Sequence, residues 1–223
     1  TVQGSTIAVW ARGDAGAVVN IYGGTYKGCA EGFAKGGRSV IYASSDNTVN
    51  IYGGTFEALA ADKTSYADKT DGVYAALNVQ DNHGTINVYG GTFKNFNPAV
   101  PGTEPASWMQ THPKGFVAFG YKSRNVEDST TDYEVYDATI YVDRNTTTTD
   151  WDKILSGSEA DIILKLLEDI TLDKTFDVPA GKDVYLDLNG QTITIDEKLA
   201  YAFKIIEGGT LTIDGDGAVE ATT

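Results

Sequence analysis

The chain has 223 residues, a formal charge of -14 and a pI near 4.4, so it lacks the basic stripe that nucleic acid or an anionic membrane surface requires. No segment approaches the roughly 18 consecutive apolar residues of a bilayer span, so no membrane insertion is expected. A single cysteine, Cys29, excludes an intrachain disulfide.

The first residues, from Thr1, carry no Met and no apolar signal region, which reads as a processed product or an excised fragment. A short strand, Ile7-Ala8-Val9-Trp10, leads into Val19-Asn20-Ile21-Tyr22-Gly23-Gly24-Thr25-Tyr26. That signature returns 30 residues later as Val49 to Phe56, then 37 residues later as Ile86 to Phe93. Val40-Ile41-Tyr42-Ala43 and Ala76-Leu77-Asn78-Val79 precede the later copies as the first strand does. One period therefore holds two or three short strands, fewer than the four of a propeller blade. It suits a solenoid coil, in which each strand pairs in parallel with its equivalent one coil later. Alternation puts Val19 and Ile21 inside, and Asn20 and Tyr22 outside. Trp10 is expected in the core. The paired glycines supply positive φ or room at the corners. The unequal periods imply insertions, of which Ala58 to Asp71 is one.

The coils run over 1–122. A closing β-hairpin and a Thr-rich connector (Thr146 to Thr149) are placed at 115–145 and just beyond. A capping helix is predicted over 150–168, with Asp150 as N-cap and Ile154, Leu155, Ile162, Ile163, Leu166 and Leu167 as its apolar positions. Trp151 pins this helix and Trp108 pins the preceding loop. Opening coils of a second part then occupy 169–223.

On these residues the Val-Asn-Ile-Tyr-Gly-Gly-Thr-Phe signature resembles the repeats of pectate-lyase-like β-helices in large surface proteins of gut bacteria and their phages. Gly115 to Lys122 with Tyr133-Glu134-Val135 resembles the closing hairpin of such modules. Leu166 to Leu172, Val178 to Gly181 and Leu186 to Gly190 resemble their opening coils. The resemblance implies an all-β fold, a right-handed parallel β-helix in two parts with the hairpin and helix between them. It also implies an extracellular, cell-surface or virion-fibre setting.

The closing pieces thus come first and the opening pieces last. Leu211-Thr212-Ile213-Asp214-Gly215 matches Val19 to Gly23 in pattern. From Gly215 it is 8 residues to Thr223 and 23 more from Thr1 to Gly23, 31 in all, against coils of 25, 30 and 37. Bare complementary ends make a heterologous contact that propagates. The expected partner is another copy, head to tail, through Ile7, Val9, Trp10, Leu211 and Ile213. A tandem array explains the same order.

No catalytic site is expected. Lyases of the resembled family use carboxylates that hold calcium and an Arg or Lys base, and glycosidases need two carboxylates roughly 5–9 Å apart. The outward positions here are Asn20, Asn50 and Asn87, and Tyr22, Tyr52 and Tyr89, which are poor acid–base groups. His83, in the turn Asp81-Asn82-His83-Gly84, and His112, beside Pro113 and Met109, show no metal-ligand spacing. Asp214-Gly215-Asp216-Gly217, with Asp187 and Asp196, suggests calcium or, more plainly, Gly/Asp corners. No other cofactor is implied. The tyrosine ladder Tyr22, Tyr52 and Tyr89 offers either an aromatic strip for surface glycans or simple cross-coil stacking. The functions expected are a structural fibre subunit, then a glycan- or receptor-binding adhesin using also the loops 58–71 and 95–115, then a polysaccharide lyase or hydrolase.

Overall fold

The computed structural model describes residues 1–3, 7–28, 38–58, 74–79, 83–100, 115–146 and 148–221. Cys29, Asp81, Asn82, Trp108, Met109, His112 and Pro113 lie outside this set, as do 59–71 of the first insertion and 101–114 of the second. The chain divides into two compact units, Thr1–Asp137 and Ala138–Thr223. Both are built mainly of short strands in parallel sheets.

In the first unit the strands are β1 (Val2–Gln3), β2 (Val9–Ala11), β3 (Val18–Ile21), β4 (Thr25–Gly28), β5 (Arg38–Ala43), β6 (Asn47–Ile51), β7 (Thr55–Ala58), β8 (Tyr74–Val79), β9 (Gly84–Val88) and β10 (Gly91–Lys94). They form three parallel ladders, β2-β5-β8, β3-β6-β9 and β1-β4-β7-β10. Each sequence period gives one strand to each ladder, and equivalent residues pair in register. Val9 faces Ile41, which faces Leu77. Ile21 faces Ile51, which faces Val88. Tyr26 faces Phe56, which faces Phe93. Ile41, Ile51, Phe56, Leu77, Val88 and Phe93 are all fully buried, because alternation directs every second side chain inward.

The repeated glycine pair makes the corner between the second and third ladders. Gly24, Gly54 and Gly91 have φ of 108°, 117° and 114°, where a side chain is strained. A Cβ on Gly54 would also lie 2.9 Å from the Gly24 carbonyl oxygen. By contrast, a Cβ on Gly23 would meet nothing within 4 Å.

Two further strands, β11 (Tyr121–Asn125) and β12 (Tyr133–Asp137), form an antiparallel hairpin, and β12 lies antiparallel on β10. The hairpin therefore starts at Tyr121 and not at Gly115. The apolar stretch before it passes beside β9 instead, where Val88 pairs with Val117 and Phe116 is buried.

The second unit contains β13 (Ile140–Val142), helix α1 (Thr148–Ser156), β14 (Asp161–Leu166), β15 (Ile170–Leu172), β16 (Phe176–Val178), β17 (Asp183–Asp187), β18 (Thr192–Ile195), β19 (Phe203–Ile205), β20 (Thr210–Asp214) and β21 (Ala218–Ala221). Its parallel ladders are β13-β14-β17-β20, β15-β18-β21 and β16-β19. Ile162, Val184 and Leu211 stack in one row, with Leu164, Leu186 and Ile213 in the next.

Four further expectations need correction. The helix predicted over 150–168 ends at Ser156, beside Gly157, and residues 161–166 form β14. Asp-Ile-Ile-Leu-Lys-Leu alternates, burying Ile162, Leu164 and Leu166, so period 2 and β-branching prevail over helical spacing. Leu167 is exposed. Asp150 is not the N-cap but lies in the first helical turn, where its charge complements the helix dipole. The connector is also shorter than expected, because Ile140–Val142 is a strand and Thr148 and Thr149 belong to α1. Finally, Trp10 points outward and is 45% exposed, because Val9 and Ala11 take the inward positions. Trp151 is buried as expected, with its ring edge-on to Phe176 at 4.9 Å.

The corner geometry predicts that Gly54→Ala lowers stability by about 1–3 kcal/mol, whereas Gly23→Ala leaves it nearly unchanged. Urea denaturation of both variants measures the difference.

Candidate functional site

The side chains singled out from the sequence gather along the ladders and at their ends. Tyr22 and Tyr52 stack with ring centroids 5.0 Å apart and planes 11° from parallel, and Tyr52 and Tyr89 do so at 4.9 Å and 9°. The strip is thus a column in which neighbouring rings cover one another's faces. A sugar stacks on an aromatic face, but solvent sees mainly the ring edges here. Tyr89 ends the column against Tyr121, edge-on at 5.3 Å. At the other end Tyr22 is 75% exposed and its outer face is uncovered.

A second ladder runs beside it. Asn87 Nδ2 donates to Asn50 Oδ1, and Asn50 Nδ2 donates to Asn20 Oδ1, each at 3.0 Å. The chain of amide bonds has one direction, so it leaves the Nδ2 donor of Asn20 at its end. The third, internal column is Tyr26, Phe56 and Phe93, stacked at 5.2 and 5.0 Å, and it continues to Phe96 and Phe116.

Of the three strand ladders, those ending in β9 and β10 are closed at the hairpin. There β12 covers the edge of β10, and the backbone of Phe116 and Ala118 bonds to Val88 of β9. All three are open at β1, β2 and β3, each the first strand of its ladder. Among the described residues no strand pairs with the outer edges of these three, and Val2, Trp10, Val18 and Tyr22 are exposed there. Ile7 and Val9 are half-buried.

The second unit also has one closed and one open side. Its first ladder begins with β13 on β14, and Trp151 and Leu155 of α1 are buried in its core. Arg144 and Glu168 form a salt bridge beside this end, which holds the Glu168 carboxyl below its usual range. The opposite side ends in β19, β20 and β21, each the last strand of its ladder. Ile213 is 42% exposed, whereas Leu186, one strand inward in the same row, is 1% exposed. Leu211 is half-buried, and Ile205 and Val219 are exposed.

The acidic turn is engaged internally. Asp214 Oδ2 accepts from the Tyr185 hydroxyl at 2.5 Å, and its Oδ1 accepts from Gly215 N–H at 2.7 Å. The first bond pushes the Tyr185 pKa up to about 12 and lowers that of Asp214. Asp187 pairs with Lys165 at 2.9 Å, and Asp196 accepts from Lys198 N–H. Among the described residues no group of three or more His, Cys, Asp or Glu side chains is placed to hold a metal. His83 Nδ1 lies 3.2 Å from Asp46 Oδ1 across neighbouring strands. No helix among the described residues is long and apolar enough to cross a membrane.

Three groups at the open edges escaped the sequence reading: Arg12, whose guanidinium lies 4.5 Å from the Trp10 ring centroid, the terminal donor of Asn20, and Glu220. The recurrence of Asn at one strand position was visible, but the one-way bonding that exposes its last donor was not. Compared with known proteins, the chain matches no family model, no curated protein and no solved structure.

An ion-pair ladder crosses the outer face as well. Glu57 lies 3.0 Å from Lys27 Nζ and 3.6 Å from Lys94 Nζ. The hydrogen bond from Lys27, aided by the charge of Lys94, holds the Glu57 carboxyl below its ordinary range. A carboxyl with a lowered folded pKa stabilises above its unfolded value and loses that effect as pH falls through the folded one. Glu57→Gln should therefore cost about 0.5–1 kcal/mol at neutral pH. The difference from the parent chain should shrink as pH falls below the ordinary carboxylate range and the Glu57 carboxyl protonates, as thermal melts across pH would record.

Proposed function

We propose that the chain is a structural subunit of an extracellular filament or fibre. Its two units are right-handed parallel β-helices, and copies join end to end by pairing the open strands of one with those of the next. The observation that carries this reading is the asymmetry of the ladders. Each unit is covered at one side by dedicated pieces, the hairpin in one and β13 with α1 in the other. Among the described residues each leaves apolar rows and unpaired backbone at the opposite side. Unpaired parallel edges with inward Val, Leu and Ile are templates for another strand, and proteins that do not use such edges cover or charge them. A heterologous contact of this kind extends into a filament when it does not close into a ring.

Three considerations support a mechanical role. Stacked strands give a near one-dimensional array in which each period stabilises its neighbours. The net charge of -14 favours solubility and opposes lateral clumping. The repeat signature, through its resemblance to pectate-lyase-like surface proteins, favours a setting at a cell or virion surface. The reading assigns no catalysis. Glycan binding along the column of Tyr22, Tyr52 and Tyr89 is disfavoured, because every face between neighbouring rings is spent on the next ring and the outer face of Tyr22 alone is left.

Sedimentation velocity and negative-stain microscopy over a concentration series test the proposal. The parent chain should grow into filaments of uniform width. Ile213→Lys, which puts a charge on an inward row of the open edge, should stay monomeric with an unchanged circular dichroism spectrum. Monodisperse particles of the parent chain at every concentration would contradict it.

A further inference from the structure

The open edges can meet in three rotations, and side-chain chemistry selects among them. Resting on the end-to-end reading, we infer that β20 of one copy pairs with β2 of the next, β21 with β3, and β19 with β1. The register sets Leu211 opposite Val9, Ile213 opposite Ala11, Val219 opposite Val19 and Ala221 opposite Ile21.

The inward rows fix the parity of this register. Leu211 and Ile213 continue the rows of Val184 and Leu186, and Val219 continues that of Ile193. Val9 and Ala11 begin the rows of Ile41 and Ala43, and Val19 and Ile21 begin those of Val49 and Ile51. Ile205 extends the row of Val178, and Val2 begins the row of Tyr26 and Phe56. A one-residue slip would turn each apolar row to solvent.

The outward residues then fix the rotation. Asp214 falls opposite Arg12, an exposed residue whose guanidinium lies over the Trp10 ring. The Asp214 carboxylate already accepts two bonds but has sites for about four. Glu220, exposed on β21, falls opposite Asn20. A carboxylate only accepts, and the amide ladder ends there on a donor. The contact thus extends the amide ladder across the junction.

The other rotations forfeit both pairings. With β20 on β3, as the match of Leu211–Gly215 to Val19–Gly23 would have it, Thr212 faces Asn20 and Lys204 comes beside Arg12. With β20 on β1, Lys204 faces the Asn20 donor and Glu220 faces Trp10. The rotation chosen pairs opposite charges across neighbouring strands, which stabilises a sheet where like charges oppose it.

A charge exchange tests the register. Glu220→Lys should raise the critical concentration for assembly at least tenfold, by setting a second donor against Asn20. Asn20→Asp should do the same by setting two carboxylates together. The double variant should return to within about threefold of the parent. Monomer melting temperatures at low concentration confirm that each variant folds. If the single variants assemble like the parent while Ile213→Lys does not, the register is wrong and end-to-end assembly stands. The same holds if the double variant is no better than the singles. A parent chain that forms no filaments, with Ile213→Lys indistinguishable from it, overturns both.

Discussion

Parallel pairing between equivalent strands governs this structure, because a strand has two edges and a ladder of strands must end twice. Inside a ladder the problem is solved by repetition. Each backbone finds its partners one period away, and each side chain rests on a residue like itself. Phe56 lies between Tyr26 and Phe93, and Asn50 lies between Asn20 and Asn87. Such contacts contribute about 0.5–1.5 kcal/mol for each aromatic pair beyond burial and about 1 kcal/mol for each net hydrogen bond. None is large, but every period adds a full set.

The same logic makes the ends costly. A terminal strand leaves half its backbone groups to water and exposes an apolar row. Where the ladders are closed, the pieces used are unlike the repeat. An antiparallel strand covers β10, Tyr121 meets the tyrosine column edge-on, and Trp151 lies across Phe176. Each breaks the parallel pattern and so stops its propagation. At β1–β3 and β19–β21 nothing of that kind is present among the described residues, and the ladders stop while still in pattern. The amide ladder gives this polarity a chemical sense. Its bonds all run one way, so one end presents a donor, and any strand that extended the ladder would have to bring an acceptor.

Much of this was legible in the sequence because ladders demand identity at fixed register. Val-Asn-Ile-Tyr-Gly-Gly-Thr-Phe recurs since each position meets its own kind, and the positive-φ corners of Gly24, Gly54 and Gly91 admit little else. Legibility failed where a local pattern had two solutions. Ile162, Ile163 and Leu166 satisfy a helix count as well as a strand count, and only pairing of β14 with β13 and β17 decides. Gly115 to Lys122 is apolar enough for a hairpin arm, yet Phe116 to Ala118 pass along β9 and only Tyr121 and Lys122 enter the hairpin. Trp10 is expected in the core, whereas its parity with Val9 sends it outward. Leu211 and Ile213 were visible as edge residues from their alternation. The opposition to Val9 and Ala11 proposed above was not, because it depends on which outward charges would line up across two surfaces distant in the chain.

The central claim is that the outer edges of β1–β3 and β19–β21 become paired between copies. Hydrogen–deuterium exchange of the parent chain, compared below and above the concentration at which it assembles, tests this most directly. Pairing predicts that amides of Val9–Ala11, Val18–Ile21, Thr210–Asp214 and Ala218–Ala221 become strongly protected on assembly, while those of the hairpin at 121–137 do not change. Equal exchange at the two sets of edge strands in both states, or new protection confined to the hairpin, would contradict it.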